Sequence, residues 1–197
     1  MKKILIFGAS GGLGSCIVDE FLNFGHTVIP ISTKDIDFNS DQSYSQIQLI
    51  IEENKPDIII NCAGILGDNE VDFNRIFNIN LRANWFIAKY YMSIFLYSKP
   101  VKIILIGSSA YQKGKKDYIL YASTKAALFN LYEGLSSYFS SSNIILGLVN
   151  PSRIDTKMIS HLEKNANLEY LDPKNLAIKI INFISSLKES SYININK

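Results

Sequence analysis

Histidine and cysteine are scarce in this chain of 197 residues, with two of each. Cys16 and Cys62 fit neither a metal-ligand spacing nor a disulfide framework, and His26 and His161 also lack ligand spacing. No metal centre is therefore expected. The cysteines read as small core residues, and His26, directly after Gly25, as part of a helix-to-strand turn. Long apolar runs are missing too. No stretch of about 20 apolar residues occurs, so no transmembrane helix is expected. The N-terminus enters a strand-like Lys3-Ile4-Leu5-Ile6-Phe7 directly, which is not a signal peptide. Neither sign of charge dominates: 20 basic and 18 acidic residues leave a net +2. Lys113, Lys115 and Lys116 form a small basic cluster that reads as a solvated loop, so nucleic acid is not an implied partner. Linkers, internal repeats and biased segments are absent as well. The expectation is a cytoplasmic protein of one domain, residues 1–197.

What is present is alternation. Short apolar runs read as strands at Lys3–Phe7, Thr27–Ser32, Ile36–Phe38, Asp57–Asn61, Val101–Ile106, Ile144–Val149 and Ser191–Ile195. Longer amphipathic runs between them read as helices: Leu13–Phe24, Ser43–Asn54 stopped by Pro56, a long bent helix Val71–Tyr97, Tyr118–Phe139, and Pro173–Leu187 with proline in its first turn. The strands are continuously apolar, as in a parallel sheet covered on both faces. Strand-helix alternation over the whole length predicts an α/β fold: a Rossmann-like, doubly wound parallel sheet of about seven strands in three layers.

Two local patterns carry chemistry. Gly8-Ala9-Ser10-Gly11-Gly12-Leu13-Gly14 follows the first strand and opens a helix. Glycine lets the backbone approach a pyrophosphate, and the helix N-terminus offers free N–H groups and a positive dipole end, so a dinucleotide is expected. At the end of the second strand a carboxylate would accept the ribose hydroxyls of NAD. Ser32-Thr33-Lys34 stands there instead, which tolerates a 2′-phosphate and favours NADP(H) over NAD(H). Asp35 is close enough to reverse this if the strand runs longer. Asp37, beside Phe38, is a candidate acceptor from the adenine amino group. The second pattern is Tyr121-Ala122-Ser123-Thr124-Lys125. Four-residue spacing in a helix puts Tyr121 and Lys125 on one face. An ammonium beside a phenol is expected to lower its pKa from roughly 10 and make it a proton carrier.

Together these segments resemble the short-chain dehydrogenase/reductase family over nearly the whole chain. Asn61-Cys62-Ala63-Gly64 is similar to the family's Asn-x-Ala-Gly turn, which steadies the sheet and lines the cofactor site. Asn78-Ile79-Asn80-Leu81 is similar to its helix motif, with Asn80 at the place of the catalytic asparagine. Ser108, thirteen residues before Tyr121, is preferred to Ser109 as the catalytic serine. Tyr121 and Lys125 match the Tyr-x-x-x-Lys pair. Asn150-Pro151-Ser152-Arg153-Ile154-Asp155-Thr156 is similar to the segment that meets the nicotinamide, with Pro151, Ser152 and Ile154 along it and Thr156 near the carboxamide. The resemblance implies an oxidoreductase interconverting a carbonyl and an alcohol. Ser108 would hold the substrate oxygen and Tyr121 would carry the proton. Lys125 would bind the ribose and tune Tyr121, and Asn80 would hold a relay water.

Two departures qualify this. Ser152 replaces a glycine, which restricts the backbone. The stretch between Thr156 and Pro173 is short, which implies an open pocket or one completed by a partner subunit. A non-catalytic dinucleotide-binding regulator or scaffold is the competing reading. A small carbonyl or alcohol is the expected substrate, and Lys55–Asn61 with Asp35–Phe38 also resembles nucleotide-sugar reductases. The family further implies a homodimer or homotetramer, with Tyr90, Tyr91, Phe95, Phe129 and Tyr132 as a candidate apolar face.

Overall fold

The computed structural model describes residues 1–68, 70–94, 99–159 and 169–196. Phe95, Tyr97 and His161 lie outside the described residues. Six strands, β1 (Lys3–Phe7), β2 (Thr27–Ile31), β3 (Ile58–Asn61), β4 (Val101–Ile106), β5 (Ile144–Pro151) and β6 (Ser191–Ile195), form one sheet in the order β2-β1-β3-β4-β5-β6. Every neighbouring pair is parallel. The Rossmann-like α/β architecture is as expected, with one strand fewer. Ile36–Phe38 pairs with no strand. Its apolar side chains are buried because they pack over the sheet, Phe38 against Phe7 at 5.7 Å between ring centroids, and not because the segment joins it.

Alternation along each strand builds two cores, one per face of the sheet. Leu5, Phe7, Ile59, Ile103, Leu105, Leu146 and Leu148 face one way. They meet α2 (Ser43–Asn54), α4 (Ala83–Ile94) and α5 (Ile119–Tyr138). Ile4, Ile6, Ile58, Ile60 and Ile104 face the other way and meet α1 (Gly12–Asn23) and α6 (Pro173–Ser186). Tyr90, Tyr91 and Tyr132 are buried in the first core and Phe129 packs against it, so this aromatic face covers the chain's own sheet. Among the described residues, no helix is long and apolar enough to cross a membrane.

Caps set the helix ends. Asp72 and Asp172 accept hydrogen bonds from Arg75 N (2.7 Å) and Asn175 N (2.8 Å), starting α3 (Phe73–Phe77) and α6. Lys55 closes α2 with a left-handed φ of 47° ahead of Pro56. The expected bend of the long helix is a π-helical stretch, Asn78–Arg82, between α3 and α4. The extra residue it inserts turns Asn80 toward β3 and α5.

Candidate active site

The chain winds to one side of β1 and then to the other, which leaves a crevice beyond the carboxyl ends of the strands. A cleft of about 1620 Å³ lies there. Its lining runs from Ser32 and Thr33 after β2, past the glycine loop after β1 and Cys62–Gly64 after β3, to Ser108 after β4 and Ser152–Ile154 after β5.

The glycine loop is shaped by close approach. Gly8 has φ +72°, and a Cβ there would stand 2.5 Å from Ala63 N. A Cβ on Gly14 would run into the Gly8 carbonyl, and one on Gly12 would meet Thr156 Cγ2 at 2.7 Å. The loop is thus pressed against both the β3 turn and the β5 segment. Gly11 caps α1 without any side-chain hydrogen bond, and no acidic residue stands in the first turn. This uncapped helix start suits a phosphate-sized anion.

At the β2 end, Asp35 accepts hydrogen bonds from Ser32 N and Ser32 Oγ, both at 2.8 Å. These bonds hold its carboxyl below the usual carboxylate range. Asp35 is spent closing the turn and does not line the cleft, whereas Asp37 and Phe38 do. Lys34, expected at this site, is exposed in the turn and does not line the cleft either. Arg82 donates to Phe38 O (3.1 Å) and Ser40 O (3.2 Å), and Asn78 to Asn39 Oδ1 (2.9 Å), pinning the loop to the π-helical stretch.

At the other end, Ser108, Tyr121 and Lys125 come together. Ser108 Oγ accepts a hydrogen bond from Ala110 N at 3.1 Å, which fixes its rotamer. Its side chain also hydrogen-bonds with the Tyr121 hydroxyl. Lys125 is 5% exposed and donates to Ile106 O at 2.8 Å, with Nζ 5.5 Å from the Tyr121 ring centroid. Burial pushes the Tyr121 phenol up, only partly offset by Ser108, and Tyr118 adds to the rise. The expected lowering by Lys125 is not what the structure shows. The ammonium faces a backbone carbonyl, and burial depresses its own pKa to about 8. Burial also pushes the Cys62 thiol up to about 12, against a pull from Lys125.

Asn80 and Asn61 do not line the cleft. Asn80 is fully buried; its Oδ1 accepts from Ile65 N (2.9 Å), and its Nδ2 donates to Ile65 O (2.9 Å) and Thr124 Oγ1 (3.1 Å). Asn61 accepts from Ala63 N (3.1 Å) and donates to Asn84 Oδ1 (2.8 Å), and Asn84 donates to Asn80 O (2.9 Å). Thr124 in turn donates to Tyr121 O (2.8 Å). This buried chain of amides ties the β3 turn, the π-helical stretch and α5 into one frame behind the cleft. Asn84 and Thr124 were missed in the sequence. Polar residues four after Asn80 and one before Lys125, on otherwise apolar faces, were the available signal. Ser152 sits without strain: Lys55 is the only non-glycine residue with positive φ among those described. Its N–H is held by Ile195 O at 2.9 Å.

The lysine shift has a measurable consequence. Lys125 titrates near 8 in the folded protein, against a reference value of 10.5. Between these values the unfolded chain holds more protons, so stability from this site rises with pH across the window. Below it the cost of burying the charge is fully present. Thermal unfolding of wild type and Lys125→Met from pH 7 to 10 checks this. Wild type is expected to gain on the variant by about 2–3 kcal/mol. A gap independent of pH contradicts the shift.

Both the sequence and the fold have known relatives. The sequence pattern of the short chain dehydrogenase family matches residues 34–167. The chain is 27% identical over 198 residues to the 3-oxoacyl-[acyl-carrier-protein] reductase FabG of Buchnera aphidicola subsp. Baizongia pistaciae, covering 86% of this chain and 81% of that one. In fold it is similar to a short-chain dehydrogenase from Sphingobium yanoikuyae in complex with NADPH, with a TM-score of 0.83 at 20% identity over 98% of this chain and 87% of that one. It is similar also to the 3-alpha-hydroxysteroid dehydrogenase of Pseudomonas sp. B-0831 complexed with NADH, with a TM-score of 0.82 at 15% identity over 98% and 94%. With the family pattern spanning the turn after β2 through the segment beyond Thr156, this chain belongs to the short-chain dehydrogenase/reductase family of oxidoreductases.

Proposed function

We propose that the protein is a single-domain NAD(P)(H)-dependent reductase or dehydrogenase that interconverts a small carbonyl compound and its alcohol, with Tyr121 as the general acid and base. The observation that carries this reading is the half-buried Tyr121, its hydroxyl bonded to Ser108 and with Lys125 beside it, in the cleft that also holds the glycine loop. The site fits a dinucleotide. The uncapped start of α1 at Gly11–Leu13 would take the pyrophosphate, and Thr33, Asp37 and Phe38 the adenosine. Ala63, Gly64, Pro151, Ile154 and Thr156 would flank the nicotinamide half. When bound, the nicotinamide supplies or accepts the hydride.

The chain's own residues do the rest. Ser108 donates a hydrogen bond to the substrate oxygen and fixes it. Burial keeps the Tyr121 phenol protonated at neutral pH, so it has a proton to give to that oxygen in reduction. Lys125, held by Ile106 O and with Nζ 5.5 Å from the Tyr121 ring centroid, would bind the ribose hydroxyls of the cofactor. Asn80 is a positioning residue: its side chain holds Ile65 and Thr124 and so fixes the turn bearing Gly64 and the helix bearing Tyr121.

Cofactor preference follows from the β2 end. With Asp35 turned into its own loop, Ser32 and Thr33 line that end and leave room for a 2′-phosphate, which favours NADPH over NADH; Asp37, the carboxylate that also lines it, is the group that opposes this preference. Calorimetric titration with each cofactor is expected to give about tenfold tighter binding of NADPH or more. Tighter NADH binding makes Asp37 the ribose acceptor and reverses the preference. Binding of neither removes the dinucleotide site.

A further inference from the structure

Resting on that reading of the site, we propose that the substrate carries an anionic group, a phosphate or a carboxylate, and that Arg153 and Lys115 recognise it. Both line the cleft. Arg153 lies two residues past β5, beside the strand end that carries Ser108, since β4 and β5 are neighbours with Ile106 opposite Val149. Its backbone is held firmly. Leu171 N donates to Arg153 O at 2.7 Å, and the flanking Ser152 N and Asp155 N donate to Ile195 O and Leu171 O, each at 2.9 Å. The guanidinium itself has no hydrogen bond or ion pair among the described residues. A fixed backbone bearing an unengaged planar fork suits two-point binding of a phosphate or carboxylate.

Lys115 approaches from the loop before α5, where Tyr118 N donates to Lys115 O at 3.3 Å. This lysine was expected to be a solvated loop residue together with Lys113 and Lys116. The structure separates them: Lys113 and Lys116 are exposed, whereas Lys115 is half-buried against the cleft. Its ammonium likewise has no partner among the described residues. Tyr118, three residues on, lines the cleft and packs edge-on against Tyr121 at 5.9 Å, so the loop reaches the reacting end.

Asp117 is the carboxylate lining this end, against Arg153, Lys115 and Lys157. Lys157 is exposed and follows Thr156, which a Cβ on Gly12 would meet, and Arg75 lines the cleft from α3, three residues before Asn78, which bonds Asn39 at the β2 end. Of these cations, Arg153 and Lys115 come from the segments after β5 and before α5, which flank Ser108 and Tyr121. Cations lining one cleft focus positive potential into it, which favours an anion there.

The test uses protein saturated with NADP⁺, so that no hydride moves, and titrates matched pairs by calorimetry: dihydroxyacetone phosphate against dihydroxyacetone, and acetoacetate against acetone. Wild type is expected to bind the charged member of at least one pair about tenfold tighter or more. In Arg153→Met and Lys115→Met this preference collapses while NADP⁺ affinity is retained. Which pair shows the preference separates phosphate from carboxylate. Equal binding of the two members, binding of neither in every pair, or variants that weaken NADP⁺ instead all overturn the proposal. Turnover with NADPH is followed separately by nicotinamide absorbance. Charged compounds that bind with the expected preference but are not reduced leave the anion site standing and sink the dehydrogenase reading. Reduction of neutral compounds without that preference does the reverse.

Discussion

Tyr121→Phe is expected to lower kcat by about 10²–10⁴-fold with cofactor affinity retained. The substitution deletes one oxygen. What the fold loses is the hydrogen bond with Ser108, worth about 1 kcal/mol. The ring remains in edge contact with Tyr118, and Ser108 keeps its bond from Ala110 N. The chemical loss is far larger, since no other described side chain that lines this end combines a protonated phenol with contact to both Ser108 and Lys125. Steady-state turnover on a carbonyl substrate, with NADPH titrated in parallel, checks both halves. Full activity of Tyr121→Phe removes the acid-base role. A cellular function that survives the substitution favours a dinucleotide-binding regulator of the same fold over an enzyme.

The second large effect is structural. Gly8 and Gly25 have almost the same left-handed backbone, φ +72° and +73°, but different surroundings. A Cβ at Gly25 meets nothing within 4 Å, whereas one at Gly8 stands 2.5 Å from Ala63 N and 2.8 Å from Ala63 Cα, both backbone atoms. Gly25→Ala therefore bears the conformational cost alone, about 1–2 kcal/mol. Gly8→Ala bears that cost and must also push apart the turns after β1 and β3. Its destabilisation is expected to exceed about 3 kcal/mol, or roughly 6–12 °C in Tm for a chain of this size. The contrast isolates close approach from φ. Similar Tm losses in the two variants would mean that the β3 turn gives way. Because Gly8 and Ala63 both line the cleft, dinucleotide affinity is expected to fall with Gly8→Ala and to hold with Gly25→Ala.

What was legible in the chain was whatever local chemistry dictates. Short apolar runs marked five of the six strands to within a residue at each end, with β5 running two further; in the central β1, β3 and β4 burial on both faces leaves little polar alternation to blur the run, whereas β2 and β6 are the partly exposed edges of the sheet. Glycines between β1 and α1 marked the loop that only glycine permits, and a four-residue spacing placed Tyr121 and Lys125 on one side of α5. Everything that depends on which distant segment fills the space nearby was settled in the tertiary structure. Ile36 and Phe38 look like a strand because they are buried, yet they pack over the sheet. Lys34 was expected at the cofactor and Asp35 was its rival, but hydrogen bonds from Ser32 draw Asp35 into the turn and Lys34 stays outside the cleft. Asn80 carries its motif's residue, but Ile65 and Thr124, both far away in sequence, decide that it braces the site from behind. Lys125 was expected to lower the Tyr121 pKa, but burial dominates both groups and raises it. Lys115 and Arg153, from loops 38 residues apart, face one cleft only because β4 and β5 are neighbours in the sheet. Periodicity and spacing act along the chain, whereas burial, hydrogen-bond partners and converging charge are properties of the space into which it folds.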